Sequence, residues 1–163
     1  MKPTLAVAAV QLTSGSDVAD NLRRATAWIR RAAEAGAELI ALPENYGFLG
    51  GDADMLAHAQ SVDDGPFVAP VRALALELRV AILAGSIPET GPDATHTYNT
   101  SVLIGRGGET LATYRKIHLF DVDLDTKTRF RESDHVSPGS DTVTVELDGW
   151  VIGLSVCYDL RFP

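Results

Sequence analysis

The segment TLAVAAVQLTSGSDVADNLRRATAWIRRAAEAGAELIAL, residues 4–42, decides the fold. Residues 4–11 are almost continuously apolar, which is typical of a strand covered on both faces. The next segment has apolar residues at helical spacing, begins with acidic residues and ends at a glycine, so it predicts an amphipathic helix. The apolar positions of this helix are Val18, Leu22, Ala25, Ile29 and Ala32. Residues 38–42 then form a second short apolar strand, which ends at Pro43 because proline cannot donate to a sheet.

The following segment repeats the order of helix and strand. A short helix is predicted near residues 54–60, and Gly65-Pro66 suits the first turn of a longer one. The apolar stripe of this longer helix is Phe67, Val71, Leu74 and Leu78. Residues 80–85, VAILAG, predict a third buried strand. The resulting βαβαβ order favours an α/β fold with a largely parallel sheet and right-handed crossovers.

The second half of the chain predicts two β-hairpins, which add antiparallel strands. Residues 98–105 and 109–116 flank a glycine-rich turn, and residues 142–147 and 150–156 flank Asp148-Gly149. We expect the last strand, which includes the apolar run WVIGLSV, to be buried.

Residues 117–141 separate the two hairpins and show no clear period, and loops of this length are usually functional or disordered. Phe120 and Phe130 favour an ordered segment. Four acidic residues in it have the spacing of an EF-hand calcium loop, namely Asp121, Asp123, Asp125 and Glu132. The β-branched Thr126 occupies the position where such a loop needs a sharp turn, and this argues against a calcium site.

Composition limits the classes of function. The chain has 163 residues with 14 basic and 22 acidic side chains, a net charge of −8, so nucleic acid and anionic membranes are poor partners. With 45% apolar and 22% charged residues, the sequence is that of one globular domain, residues 1–163. The apolar run near the N-terminus is too short to span a bilayer and is a poor signal peptide. A single cysteine, Cys157, favours a reducing, cytoplasmic compartment.

Three chemically capable side chains follow predicted strands. Glu44 follows the second strand, Lys116 closes the first hairpin, and Cys157 follows the last strand, where a nucleophile would be exposed at the C-terminal end of a sheet. A thiol needs a nearby base or cation to act as a nucleophile at neutral pH. Each residue also has a structural interpretation: Cys157 as a buried apolar residue, Glu44 as a solvated acid, and Lys116 as an edge-strand charge that prevents aggregation.

Three segments carry a family resemblance. LPENYG at 42–47, YRKIHLFDVD at 114–123 and SVCYDLRFP at 155–163 resemble the signature segments of the nitrilase superfamily of carbon-nitrogen hydrolases. The middle segment is most similar to the branch that holds omega-amidase and deaminated-glutathione amidase. The resemblance implies a nitrilase-like four-layer αββα sandwich with mixed sheets. It also implies that residues 1–163 are the N-terminal part of a single carbon-nitrogen hydrolase domain, truncated at the C-terminus just after the cysteine.

The resemblance implies a role for each candidate site residue. Glu44 matches the family's general base, Lys116 its catalytic lysine, Cys157 its nucleophile and Glu132 the additional glutamate beside the lysine. These residues would hydrolyse a small carboxamide, the omega-amide of a keto-dicarboxylic acid or deaminated glutathione, through a cysteine thioester. No metal and no cofactor is implied, the partner is the small-molecule substrate, and a complete chain would form a homo-oligomer.

Three neighbours of these residues could shape the pocket, namely Tyr46, Tyr158 and Arg161. Arg161 could bind a substrate carboxylate as a bidentate partner or could serve in a structural ion pair.

Other functions stay open at this point. The same trio of residues could serve an N-carbamoyl or nitrile hydrolase, and the chain could be a non-catalytic fragment or scaffold. A Cys-His protease is disfavoured because SVCYD does not match the cysteine contexts of such proteases. The four histidines lack zinc-like spacing.

Overall fold

The computed structural model describes residues 4–123 and 129–163. Three helices lie in these ranges: α1 (Val18–Glu34), α2 (Asp52–Ala57) and α3 (Val68–Leu78). The same ranges contain nine strands: β1 (Val7–Ala9), β2 (Leu39–Ala41), β3 (Ala81–Thr90), β4 (Thr97–Ile104), β5 (Thr110–Arg115), β6 (Asp121–Asp123), β7 (Arg129–Arg131), β8 (Thr144–Leu147) and β9 (Trp150–Gly153). Short 3₁₀ helices span Glu132–Asp134 and Cys157–Arg161.

The main sheet has five strands in chain order, β1-β2-β3-β4-β5. Strands β1, β2 and β3 are parallel to one another, while β3-β4 and β4-β5 are antiparallel pairs. This arrangement confirms the predicted βαβαβ order and the first predicted hairpin. It also means that β5 runs in the same direction as β2, because the chain reverses twice between β3 and β5. The C-terminal ends of β2 and β5 therefore lie at the same edge of the sheet.

Helices cover one face of this sheet. Along the strands, alternate residues point to opposite faces, and Ile40, Ile82 and Ile104 pack on the helix side. They meet Ala25 and Ile29 from α1 and the apolar stripe of α3, all in one buried cluster. The N-terminus of α1 is capped by the Asp17 side chain, which accepts from the Asp20 backbone N–H. None of the helices in residues 4–123 and 129–163 is long and apolar enough to cross a membrane.

The hairpin formed by β8 and β9 covers the other face. Leu39, Ala81 and Leu103 occupy the alternate positions of the sheet strands and pack with Leu147 and Ile152 of this hairpin. The described part of the chain thus forms a helix layer, the main sheet and a second β layer. This mixed α/β arrangement is three of the four layers of the expected αββα sandwich.

Two strands are less buried than their apolar sequences predict. Strand β1 is an outermost strand of the sheet, and its Val7 is 59% exposed. The prediction that this strand is covered on both faces is therefore wrong. The prediction for β9 is wrong in the same way, since Val151 is 74% exposed. In each strand the alternate residues, such as Ala8 and Ile152, do pack inward. An apolar run therefore predicts a strand, but it does not predict whether one face or both faces of that strand are buried.

The segment between the hairpins contains the β6–β7 pair and the first 3₁₀ helix. Asp121 accepts hydrogen bonds from Ser133, and Asp123 pairs with Arg129 and Arg131. Both acids therefore have hydrogen-bonding partners within the protein. Asp125 and Thr126, which belong to the calcium-loop hypothesis, lie outside the described residues, and the described ones contain no cluster of acidic, histidine or cysteine side chains that could hold a metal ion.

A close approach between β2 and β3 positions the chain that leads to Glu44. A Cβ atom on Gly85 would lie 1.8 Å from the carbonyl oxygen of Pro43, so only glycine fits here.

We expect Gly85→Ala to separate the strands, to lower the free energy of unfolding by at least about 2 kcal/mol, and to displace Glu44. Gly153→Ala in β9 is the matched control, because a Cβ there meets nothing within 4 Å. Urea unfolding of both variants tests this, and equal effects would contradict it.

Candidate active site

Lys116 directly follows β5 and is buried, with 2% of its surface exposed. Its Nζ donates to Glu44 Oε1 at 3.0 Å and to both carboxylate oxygens of Glu132, at 3.1 and 2.9 Å. Burial alone would lower the pKa of Lys116, but the hydrogen bond to Glu132 and the charges of both acids outweigh it and raise the pKa. Lys116 is thus charged at neutral pH, and its burial rules out the role of a solvated edge-strand charge.

Glu44 is held by a turn just beyond β2. Asn45, the next residue, adopts a left-handed backbone with φ of 53°, a conformation that asparagine tolerates better than most residues. The Asn45 N–H donates to the Ser86 hydroxyl at 3.1 Å, which ties the turn to β3. The turn directs the Glu44 side chain back over the edge of the sheet and toward Lys116.

Glu132 reaches the same place from the segment between the hairpins. Its Oε2 accepts from the Phe120 backbone N–H at 2.6 Å, and its own N–H donates to the Phe120 carbonyl. The Thr97 N–H donates to His135 O, and the Ser137 N–H donates to Thr97 O, so the 3₁₀ helix that carries Glu132 is attached to β4. The long aperiodic segment therefore delivers one acid to the ammonium.

Asn99 on β4 joins the two acids. Its Nδ2 donates to Glu44 Oε1 at 2.8 Å and to Glu132 Oε1 at 3.3 Å. Its backbone carbonyl accepts the N–H of Lys116 at 2.9 Å. Since β4 lies beside β5 and is separated from β2 only by β3, Asn99 stands between the two strand ends that supply Glu44 and Lys116.

Cys157 begins the last 3₁₀ helix with a left-handed φ of 49°. This conformation is strained for a residue with a Cβ, and such strain is common where a side chain is presented at a functional site. The residue is exposed at the same cleft as Glu44 and Lys116. Partial burial of the thiol, the Glu44 charge and a hydrogen bond to Glu44 raise the pKa of Cys157, and Lys116 only partly opposes them. The thiol is therefore protonated at neutral pH and has a carboxylate beside it.

Asp159 stabilises the turn that presents Cys157. It is buried and accepts four hydrogen bonds, from the Tyr114 hydroxyl, the Val156 N–H, and the N–H and ring Nδ1 of His118. Burial alone would raise the pKa of Asp159, but these hydrogen bonds outweigh it and lower the pKa. The ionised carboxylate thus connects the end of β5 to the turn that carries the cysteine.

The candidate catalytic side chains line one open cleft with a volume of about 790 Å³. Glu44, Asn99, Lys116, Glu132 and Cys157 lie together in it, and its walls include apolar residues. The apolar wall residues are Leu49, Met55, Pro88, Phe120, Phe130 and Val136. A cleft of this size, with a few convergent polar groups among apolar walls, suits a small organic molecule.

The structure brings together all four of the residues predicted as catalytic, Glu44, Lys116, Glu132 and Cys157. The side chains of the three proposed pocket neighbours are not among the residues that line the cleft. Tyr46 is fully buried in the helix-side core, where its hydroxyl donates to Phe67 O at 2.9 Å. Tyr158 packs edge-on against Phe120 and Phe162, and Arg161 is exposed.

Asn99 and Asp159 are the site residues that the sequence analysis missed. Both leave a signal in the sequence. Asparagine is depleted in strands, so its position between Tyr98 and Thr100 in a buried strand called for an explanation. Asp159 is an acid two residues beyond the cysteine, close to the end of an apolar strand.

Comparison with known proteins identifies the family of the chain. Residues 6–163 match the carbon-nitrogen hydrolase family. The chain is 38% identical to omega-amidase NIT2 of Homo sapiens, over 96% of this chain and 55% of that protein. It is 40% identical to deaminated glutathione amidase of Synechocystis sp., over 100% of this chain and 60% of that protein. The chain thus spans a little over half the length of these relatives.

The fold has a close counterpart in a solved structure. Nit3 of Saccharomyces cerevisiae, a member of branch 10 of the nitrilase superfamily, superimposes with a TM-score of 0.82 at 29% identity, over 97% of this chain and 57% of that one. A match across nearly the whole chain, together with the αββ layers and the mixed sheet, leads to one conclusion. The chain belongs to the carbon-nitrogen hydrolase family.

Proposed function

We propose that the chain carries the active site of an amidase that hydrolyses a small carboxamide to a carboxylate and ammonia through a Cys157 thioester. The observation that carries this proposal is the ammonium of Lys116 between the carboxylates of Glu44 and Glu132, beside a protonated thiol. A base, a cation and a nucleophile in one cleft are the groups that acyl transfer needs.

The reaction begins at the thiol. Glu44 takes the proton from Cys157 as the sulfur attacks the amide carbonyl carbon, and the C=O π electrons move onto oxygen. Lys116 Nζ and the backbone N–H of Tyr158 stabilise the resulting oxyanion. When the tetrahedral intermediate collapses, the C–N bond breaks and the nitrogen takes the proton from Glu44, so ammonia leaves and a thioester remains.

Water completes the cycle. Glu44, again ionised, takes a proton from a water molecule that attacks the thioester carbonyl, and the departing thiolate recovers that proton. Glu132 keeps Lys116 in place throughout, since it contacts the ammonium through both of its oxygens. The residue is a positioning acid in this mechanism, and Glu44 is the acid that exchanges protons.

The similarity to omega-amidase and to deaminated glutathione amidase supports the substrate class. We infer that the substrate is the omega-amide of a short keto-dicarboxylic acid or deaminated glutathione. The apolar walls of the cleft would contact the carbon chain of either molecule. A panel of substrates that contains omega-amides, a nitrile and an N-carbamoyl amino acid distinguishes an amidase from a nitrile or N-carbamoyl hydrolase. Turnover of the nitrile or the N-carbamoyl compound alone would overturn the substrate assignment.

We expect Cys157→Ala to abolish ammonia release from an omega-amide, because no other thiol exists in the chain. Stability should change little, since the residue is exposed. A coupled ammonia assay, with circular dichroism to monitor the fold, measures both. Turnover retained in a folded variant would refute the mechanism.

We expect Lys116→Met to lower kcat/KM by at least about a thousandfold, because the oxyanion loses its cation and two carboxylates are left facing each other. Arg115→Met is the matched control. Arg115 is the adjacent cation, but it pairs with Glu89, and neither residue lines the cleft. Steady-state kinetics on both variants test the role of Lys116, and equal losses in the two would contradict it.

Glu44→Gln should separate the two effects that Glu44 has on the thiol. Its negative charge contributes to the raised pKa of Cys157, so its removal should shift the pH midpoint of iodoacetamide alkylation downward. Amide hydrolysis should nevertheless be lost, because the base is gone. Glu146→Gln, at an exposed position on β8, is the control. A midpoint that stays in place, or moves upward, would contradict the proposed contact.

A further inference from the structure

We propose that Asn99 is a positioning residue that aims the Glu44 carboxylate at the thiol. The proposal rests on the proposed function, since it assigns Glu44 the role of base. Asn99 Nδ2 donates to Glu44 Oε1, and the same oxygen accepts from Lys116 Nζ. With two donors on Oε1, the other carboxylate oxygen, Oε2, is the one left for the Cys157 proton.

The orientation of the Asn99 amide is determined by charge. Its NH₂ group faces two carboxylates, Glu44 at 2.8 Å and Glu132 at 3.3 Å. A flipped amide would direct its oxygen at both anions, which would be repulsive. The network therefore assigns one orientation to the amide.

In this orientation, no group of the described residues donates to the amide oxygen of Asn99. Asn99 is 6% exposed, and within residues 4–123 and 129–163 its buried Oδ1 has no hydrogen-bond partner. Buried acceptors in folded proteins are nearly always paired, and exceptions concentrate at functional sites. Both side-chain hydrogen bonds that the described residues give to Asn99 are therefore donations from its amide nitrogen to the two acids.

The place of Asn99 in the fold explains why it can do this. It lies on β4 next to β5, and its own backbone carbonyl accepts from the N–H of Lys116. One residue of a central strand therefore contacts the base through its side chain and sets the backbone of the lysine through its carbonyl.

Asn99→Ala and Asn99→Asp test the proposal. The first removes the donor, and the second keeps the size of the side chain but replaces the donor with a third carboxylate. We expect kcat on an omega-amide to fall at least about tenfold in Asn99→Ala and further in Asn99→Asp, with KM within about twofold of wild type. We expect kcat to fall while KM changes little, because Asn99 acts through Glu44 in the chemical step and not on substrate binding.

Thr100→Val is the matched control. Thr100 is the next residue on β4, is fully buried, and donates its hydroxyl to Glu89 at 2.6 Å. The substitution removes a buried hydrogen bond of comparable geometry without touching Glu44, so it should lower the melting temperature but leave kcat unchanged. Asn99 variants that lose only stability, as this control does, or that change KM alone, would overturn the proposal.

A crystal structure of Asn99→Ala supplies a readout that does not depend on turnover. We expect the Glu44 carboxylate to leave its 3.0 Å contact with Lys116 or to adopt more than one conformation, while the contact between Lys116 and Glu132 persists. An unmoved Glu44 would refute the positioning role. If the wild-type chain released no ammonia from any amide, the proposed function would fail, and this structure would still decide the role of Asn99.

Discussion

The buried ammonium of Lys116 is the interaction on which the rest of the site depends. A charge removed from water costs several kcal/mol unless it is paired and hydrogen-bonded. Glu44 and Glu132 provide that pairing from two distant parts of the chain, so the ammonium holds the end of β2 and the segment after β7 in one place. Partial burial of the neighbouring thiol, together with the negative charges of these two acids, raises the pKa of Cys157.

Strand direction explains why these groups meet. The parallel β1-β2-β3 unit places the end of β2 at one edge of the sheet, and the two reversals through β4 return the end of β5 to that edge. The hairpin of β8 and β9 packs on the opposite face from the helices and brings Cys157 to the same cleft. Asp159 completes the arrangement, because its hydrogen bonds to Tyr114 and His118 join the cysteine turn to the end of β5.

Much of this could be predicted from the sequence, and the reasons differ from residue to residue. The periods of the apolar residues predicted the helices and the order of the first three strands. Three motifs in sequence order pointed to Glu44, Lys116 and Cys157, and the family resemblance added Glu132. Burial was harder to predict. The apolar runs of β1 and β9 suggested strands covered on both faces, yet Val7 and Val151 face outward. Tyr46 is only two residues beyond Glu44 but points into the core, because the left-handed turn at Asn45 lies between them and reverses the direction of the side chain. Asn99 belongs to no motif. Its position in a buried strand is a weak sequence signal, and its contacts with both acids identify its role.

The most direct test of the account is the identity of the covalent intermediate. The chain would be mixed briefly with an omega-amide, quenched in acid, and analysed by intact mass spectrometry followed by peptide mapping. The account predicts an adduct with the mass of the amide minus ammonia, located on the peptide that contains Cys157 and removed by hydroxylamine, as a thioester would be. An adduct on any other residue, or ammonia release with no acyl group ever detected on Cys157, would contradict it.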